Sequence, residues 1–215
     1  MLIRDIMTYN VVTIPSDTPV LEAERLMEFH RFERLPVVDK GKLVGLVTKD
    51  TLLKASPSSA TSLSRGELSY LLAKLTVKEI MQKKVVTVSA DTSVEKAAAI
   101  AQGNKVGCLP VVEGEKVVGI VTTNDFFYKI LNPLLGIGES GTRIVVHGAG
   151  DPGKMQKVIE AVQKLGITVK SFCSLKSPGA EGNDFVLHLG TEDLSPLIAK
   201  LKAMGLSVET RDYTP

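Results

Sequence analysis

The chain of 215 residues has no tryptophan, only 5% aromatic residues, two cysteines and a formal charge of +2. Each shortage excludes a class of function. Cys108 and Cys173 lie too far apart in sequence to suggest a disulfide framework, and both are expected to stay reduced in a cytoplasm. A near-balanced charge without a basic run or an aromatic platform argues against a nucleic-acid partner. No stretch approaches the roughly 18 consecutive apolar residues of a membrane span. The opening MLIRDIMTYN carries Asp5 early and lacks the apolar core of a secretory signal, so a cytoplasmic chain is expected. Catalytic motifs are lacking as well. There is no HExxH, GxSxG or CxxC, His30, His147 and His188 are scattered, and HGAGDPGK lacks the spacing of a phosphate loop. The expectation is a protein that is not an enzyme, with no catalytic cofactor and no metal site.

What the chain does have is a repeat. Shifting it by 74 positions aligns Asp5–Leu53 with Glu79–Phe127 without a gap, and 18 of the 49 positions are identical, against roughly three expected from composition. Identities include Met7/Met81, Thr13/Thr87, Asp17/Asp91, Ala23/Ala97, Pro36/Pro110, Gly45/Gly119 and Thr48/Thr122. Each copy has the same grammar. The β-branched runs VVTI and VVTV predict a first strand. In the first copy SDTPVLEAERLMEFH then predicts a capped helix with Val20, Ala23, Leu26 and Met27 on one face. LPVVDKGKLVGLVT predicts a hairpin, with a second helix from about Lys49. The unit is β-α-β-β-α, and two such units can pack sheet to sheet as a pseudo-dimer.

Between the copies, Leu68, Leu71, Leu72 and Leu75 fall on one face of a helix, either packed on the parent domain or making a dimer contact. Beyond Leu131 a Gly- and Pro-rich stretch reads as a linker. The rest predicts the order β-α-β-β-α-β, a ferredoxin-like split unit, with helices ending at Gly166 and Gly205. The expected class is therefore α/β (α+β). Its expected parts are a first repeat over 1–56, a linker with an amphipathic helix over 57–76, a second repeat over 77–133, a linker over 134–141 and a C-terminal domain over 142–215.

The duplicated part, with DIM…VVTI…DTPVLEA…LPVVD…LVGLVT written twice, closely resembles a tandem pair of cystathionine-β-synthase (CBS) domains, a Bateman module. RIVVHGAGDPGKMQKVIEAVQKLGITVKSF resembles an ACT domain, and the whole arrangement resembles the AcuB-type acetoin-utilisation family. The resemblance implies an adenine nucleotide of the AMP or ATP type as a regulatory ligand, a homodimer and a partner enzyme. In CBS families an ending G-h-h-[ST]-x-x-D binds ribose, and it matches Gly119, Thr122 and Asp125. The first copy holds Gly45, Thr48 and Thr51 there, with Asp50 displaced by one residue, a rotation of about 100° on a helix. Arg31 and Arg34 in the first copy and Lys105 in the second are candidate phosphate ligands, while Cys108 stands where the first copy has Arg34. Ribose groups are thus expected in the cleft of one copy and phosphate cations in that of the other, with one shared site and two sites both open. Thr13 and Thr87 are further family-matched candidates.

For the ACT-like part, the resemblance places an amino-acid ligand at Gly150, Asp151, Pro152 and Gly153, the alternative being a plain tight turn. The leading expectation is a regulatory sensor in which the CBS pair binds an adenosyl ligand and signals to the ACT-like domain or a partner. A scaffold with empty clefts and an amino-acid sensor acting through the ACT-like domain are the rivals.

Overall fold

The Val-rich runs of each repeat fold back as antiparallel hairpins: β1 (Arg34–Asp39) on β2 (Lys42–Thr48), and β3 (Cys108–Glu113) on β4 (Lys116–Thr122). Two-residue turns set their registers. Lys40 and Gly41 both have positive φ, 50° and 81°, the I′ geometry that suits the twist of paired strands. In the second hairpin Gly114 alone is positive, at 61°. Both hairpins carry a bulge at the same place, after Val37 and after Val111. Helices Val20–His30 and Val94–Asn104 precede the hairpins, burying Val20, Ala23 and Met27 in the first and Val94 and Ala97 in the second. The computed structural model describes residues 1–55, 74–179 and 181–211; Leu68, Leu71 and Leu72 of the leucine stripe lie outside the described residues.

The expected first strands shrink to single bridges. Ile14 donates to the carbonyl of Pro36 at 3.1 Å and accepts from Val38 at 2.9 Å, and Val88 does the same between Pro110 and Val112. Pro36 and Pro110 have no N–H to offer the ladder, and Pro15 ends the extended run of the first copy. High β-propensity in VVTI and VVTV therefore yields an extended segment rather than a strand.

The repeats exchange their leading segments. The short helix Val77–Ile80, from the second copy, packs into the first copy's core of Ile14, Val20, Ala23, Met27, Leu35, Val37, Val47 and Leu52. Backbone bonds fix it there, from Val77 to Thr18 at 2.9 Å and from Lys78 to Ser16 at 2.8 Å. Conversely, Ile3 donates to Thr92 at 2.9 Å and Arg4 to Ala90 at 3.0 Å. The exchange explains two of the repeated identities. A Cβ on Gly119 would stand 2.6 Å from Sδ of Met7, and one on Gly45 would stand 2.4 Å from Sδ of Met81. Each glycine makes room for the methionine of the other copy.

The chain divides into two compact units, Met1–Asp125 and Phe126–Pro215. In the second, the elements run β5 (Thr142–Val146), helix Pro152–Lys164, β6 (Val169–Lys176), β7 (Asn183–Leu189), helix Ser195–Ala203 and β8 (Val208–Arg211). The antiparallel sheet has the order β6-β7-β5-β8. Its core joins Ile144, Val146, Phe185, Leu187 and Leu189 to Val158, Ala161, Val162, Leu197 and Leu201 of the helices. Gly166 and Gly205 follow the helices with positive φ, 65° and 77°, as expected of glycines past a helix end.

The stretch expected as a linker over 134–141 is built into this second unit. Ser171 donates to the carbonyl of Leu134 at 2.7 Å, Arg143 to that of Leu135 at 2.9 Å, and Lys170 to that of Ser140 at 2.7 Å. Cations and a hydroxyl on the sheet thus hold backbone carbonyls that a free linker would give to water.

Candidate functional site

Exchange of segments decides what lines the clefts of the first unit. Thr8 pairs with Ile120 on β4 through two backbone bonds of 2.9 and 3.0 Å. Gln82 pairs in the same way with Leu46 on β2. Each cleft therefore has a floor from one repeat and a wall from the other. The first cleft, about 340 Å³, is lined by Thr122, Asn124 and Asp125 of the second repeat and by Thr8, Asn10, Arg31 and Arg34 of the first. The second, about 500 Å³, is lined by Thr48 and Asp50 of the first repeat with Arg34, Lys105, Gln82 and Cys108. The separation expected from sequence, ribose groups in one cleft and phosphate cations in the other, does not hold. Arg31 and Arg34 face the same space as Thr122 and Asp125, because that wall comes from the other copy.

Around Thr122 the local hydrogen bonding is set by the turn from strand into helix. Oδ2 of Asp125 accepts the Thr122 N–H at 2.8 Å and its hydroxyl at 2.7 Å. With its proton given to Asp125, the Thr122 hydroxyl presents lone pairs as an acceptor. In the first copy a hydroxyl replaces the carboxylate: Thr48 and Thr51 are joined hydroxyl to hydroxyl by a hydrogen bond of 2.8 Å, and the Thr51 N–H donates to Thr48 at 3.1 Å. Asp50 turns to Lys54 one helical turn on, at 2.7 Å. That i,i+4 pair takes the carboxylate away from Thr48.

Arg31 and Lys105 sit at equivalent places, each closing the helix before its hairpin. Both are left-handed, with φ of 56° and 54°. A side chain in that conformation costs on the order of 1 kcal/mol. A cation at a helix C-terminus recovers part of this by facing the exposed carbonyls. Arg34 has no counterpart of its kind. Its Nη2 lies where a Cβ on Gly107 would stand 2.9 Å away, and its Nη1 is 3.4 Å from Glu33. The neighbouring Cys108 is buried, which pushes its thiol up, with Arg34 opposing.

Other expected residues fall elsewhere. Thr13 is exposed and is not part of either cleft wall. Thr87 lines a separate depression of about 210 Å³ with Leu43, Lys83, Val85 and Val112. Thr8, Asn10 and Asn124 were not anticipated; Asn10, left-handed at φ 52°, is the one whose residue type hinted at a special turn.

In the second unit, Gly150, Asp151, Pro152 and Gly153 lie together at the end of the loop leading from β5 into its helix. A Cβ on Gly150 would stand 2.3 Å from Cβ of Asn183, so this glycine serves close packing on β7. Asp151 caps the helix by accepting the Lys154 N–H at 3.0 Å, which holds its carboxyl below the usual range. Pro152 takes the first helical position, where no N–H is missed. Asp184, buried at the start of β7, accepts from Ser177 and from the Gly148 N–H, and those bonds hold its carboxyl low. Among the described residues no group of His, Cys, Asp and Glu is placed to hold a metal, and no helix is long and apolar enough to cross a membrane.

Comparison with known proteins bears on the tandem repeats. The CBS domain model matches twice, over residues 3–58 and 77–132. An inosine-5'-monophosphate dehydrogenase of Korarchaeum cryptofilum is 34% identical over 152 residues, covering 70% of this chain and 28% of the relative. The chain thus spans under a third of that enzyme. Among solved structures, a protein assigned to acetoin utilization (AcuB) from Vibrio cholerae is 31% identical with a TM-score of 0.53, covering 64% of this chain and 94% of that one. CBSX2, solved in complex with AMP, is 28% identical with a TM-score of 0.51, covering 61% and 96%. Two matched domains, with duplicated hairpins and reciprocally exchanged leading segments, make the chain a member of the CBS-domain family that carries the domain as a tandem pair.

Proposed function

We propose that the chain is a regulatory sensor whose CBS pair binds an adenine nucleotide or related adenosyl ligand in the cleft beside Thr122. The observation that carries this reading is the meeting of two kinds of group in one cavity. Thr122 and Asp125 offer hydrogen-bond acceptors suited to ribose hydroxyls, and Arg31 and Arg34 offer cations suited to phosphate. About 340 Å³ lies within the range of small-ligand sites. Among its relatives CBSX2 was solved with AMP, which supports the same ligand class here.

The second unit is the receiver in this reading, a ferredoxin-like, ACT-like domain by its element order. It passes the signal to a partner enzyme or within a homodimer. Acetoin utilisation is the pathway suggested by the likeness to the Vibrio cholerae protein. A binding screen of the full chain with AMP, ATP, NADH and S-adenosylmethionine, read by thermal shift and then calorimetry, tests the sensor. Binding by at least one adenosyl ligand is expected, and silence with all four rejects it.

A further inference from the structure

Glu33 and Arg34 line both clefts. At the equivalent positions the second repeat has Gly107 and Cys108, so no second guanidinium stands at this seam. The two differences belong together. Gly107 lacks the Cβ that would press on Arg34, and Cys108 lines the second cleft with a short side chain where the first repeat carries an arginine. A symmetric pair of arginines would give each cleft its own at this position; here both clefts face the same Arg34, which among the described residues is the sole arginine lining the second, while the first has Arg31 besides.

From this geometry we propose that Arg34 is shared, so that a phosphate-bearing ligand in one cleft draws the guanidinium from the other and makes the two sites anticooperative. Apart from Arg34, the first cleft keeps Arg31, opposed by Asp125 and Glu33. The second keeps Lys49 and Lys105, opposed by Asp50 and Glu33. A planar guanidinium gives two parallel bonds to one phosphate at a time, so when Arg34 turns to the first cleft the second is left with Lys49 and Lys105, which act only as point charges. Arg34 is one-third exposed or less and its bond to Glu33 is long, so the side chain is not held by a strong partner. The proposal deepens the sensor reading and rests on its phosphate-bearing ligand, because it makes the site's response depend on what the other cleft holds. The coupling is reciprocal by linkage.

Calorimetry of the full chain with inorganic pyrophosphate tests the sharing without requiring any nucleoside. One binding step is expected, with the second weaker by about tenfold or more. In Arg34→Gln the first step weakens and the difference between the steps collapses to about twofold or less. Glu22→Gln, exposed on the helix Val20–His30 and lining neither cleft, is titrated alongside and keeps the unequal steps, because the shared fork is intact. Two equal, independent steps in the native protein overturn the proposal, as does no pyrophosphate binding at all, or unequal steps that survive Arg34→Gln. Thermal unfolding of each variant separates lost sharing from lost fold. Parallel titrations with AMP, ATP, NADH and S-adenosylmethionine separate the two readings: pyrophosphate binding with silence toward all four rejects the nucleotide sensor and leaves the shared arginine standing.

Discussion

The two clefts of the tandem module are assembled from the same pieces, and they differ in what three of those pieces carry. Beside Thr122 stands a carboxylate, Asp125; beside Thr48 stands a hydroxyl, Thr51, with Asp50 drawn off to Lys54. One helix is closed by Arg31 and the other by Lys105. At the seam Arg34 lines both clefts, and its counterpart in the second repeat is Cys108. Duplication supplied two equivalent spaces, and substitution on the lining, with backbone and core retained, made them unequal. Packing identities such as Met7 and Met81 against Gly119 and Gly45 persist because changing one member displaces the other. Residues facing the cavities carry no such constraint.

The largest expected effect breaks or confirms the inequality directly. Asp125→Ala should weaken AMP binding by about tenfold or more, since hydrogen bonds to a charged group contribute about 1.5–3 kcal/mol. Asp50→Ala, its near neighbour in the other copy, should change affinity by less than about twofold. Calorimetry on both variants checks the pair, and equal losses would show that the clefts are equivalent after all.

Much of this architecture was legible before any coordinates. The 74-residue repeat, the hairpin turns at Lys40-Gly41 and Gly114, and the helix starting near Lys49 follow from local patterns whose physics acts over a few residues. What was not legible is long-range. No periodicity tells that Thr8 bonds to Ile120 rather than to its own repeat, so the meeting of Arg31 and Arg34 with Thr122 and Asp125 in one cleft is not readable from the sequence. The VVTI run misled for a related reason: its strand propensity is real, but prolines on the partner side leave a single bridge to form. Thr13 and Thr87 were carried by sequence likeness alone, and their positions outside the two clefts depend on that tertiary pairing.

An intermediate effect tests the interlock that makes the two halves one body. Gly119→Ala would press its methyl against Met7 and within 3.1 Å of the Thr8 carbonyl. Overpacking of this kind costs about 1–3 kcal/mol, read as a lower urea midpoint. Gly103→Ala is the contrast: it lies inside helix Val94–Asn104 with open space around it. There alanine should stabilise by up to about 1 kcal/mol, because glycine is the poorer helix former. If both substitutions were neutral, the exchange of segments would not be a source of stability.

The smallest effect concerns a difference behind the clefts. Asp39, at the end of β1, accepts the N–H of buried Ser16 at 2.9 Å, whereas in the second repeat its counterpart Glu113 is exposed and Ala90 stands in place of Ser16. The bonds from Ser16, helped by Lys78 and Lys40, hold the Asp39 carboxyl below its ordinary value. The sign follows from linkage. A carboxyl whose folded pKa is depressed binds protons more readily when unfolded, so its contribution is full above the unfolded value of about 4 and is lost as pH falls through the lower folded value. Urea unfolding between about pH 7 and pH 2 should therefore show a shallower acid decline in Asp39→Asn than in the native chain, with a lower starting stability. A decline that is the same in both proteins would mean that the Ser16 bond survives protonation, and that the acid sensitivity of this module comes from other carboxyls.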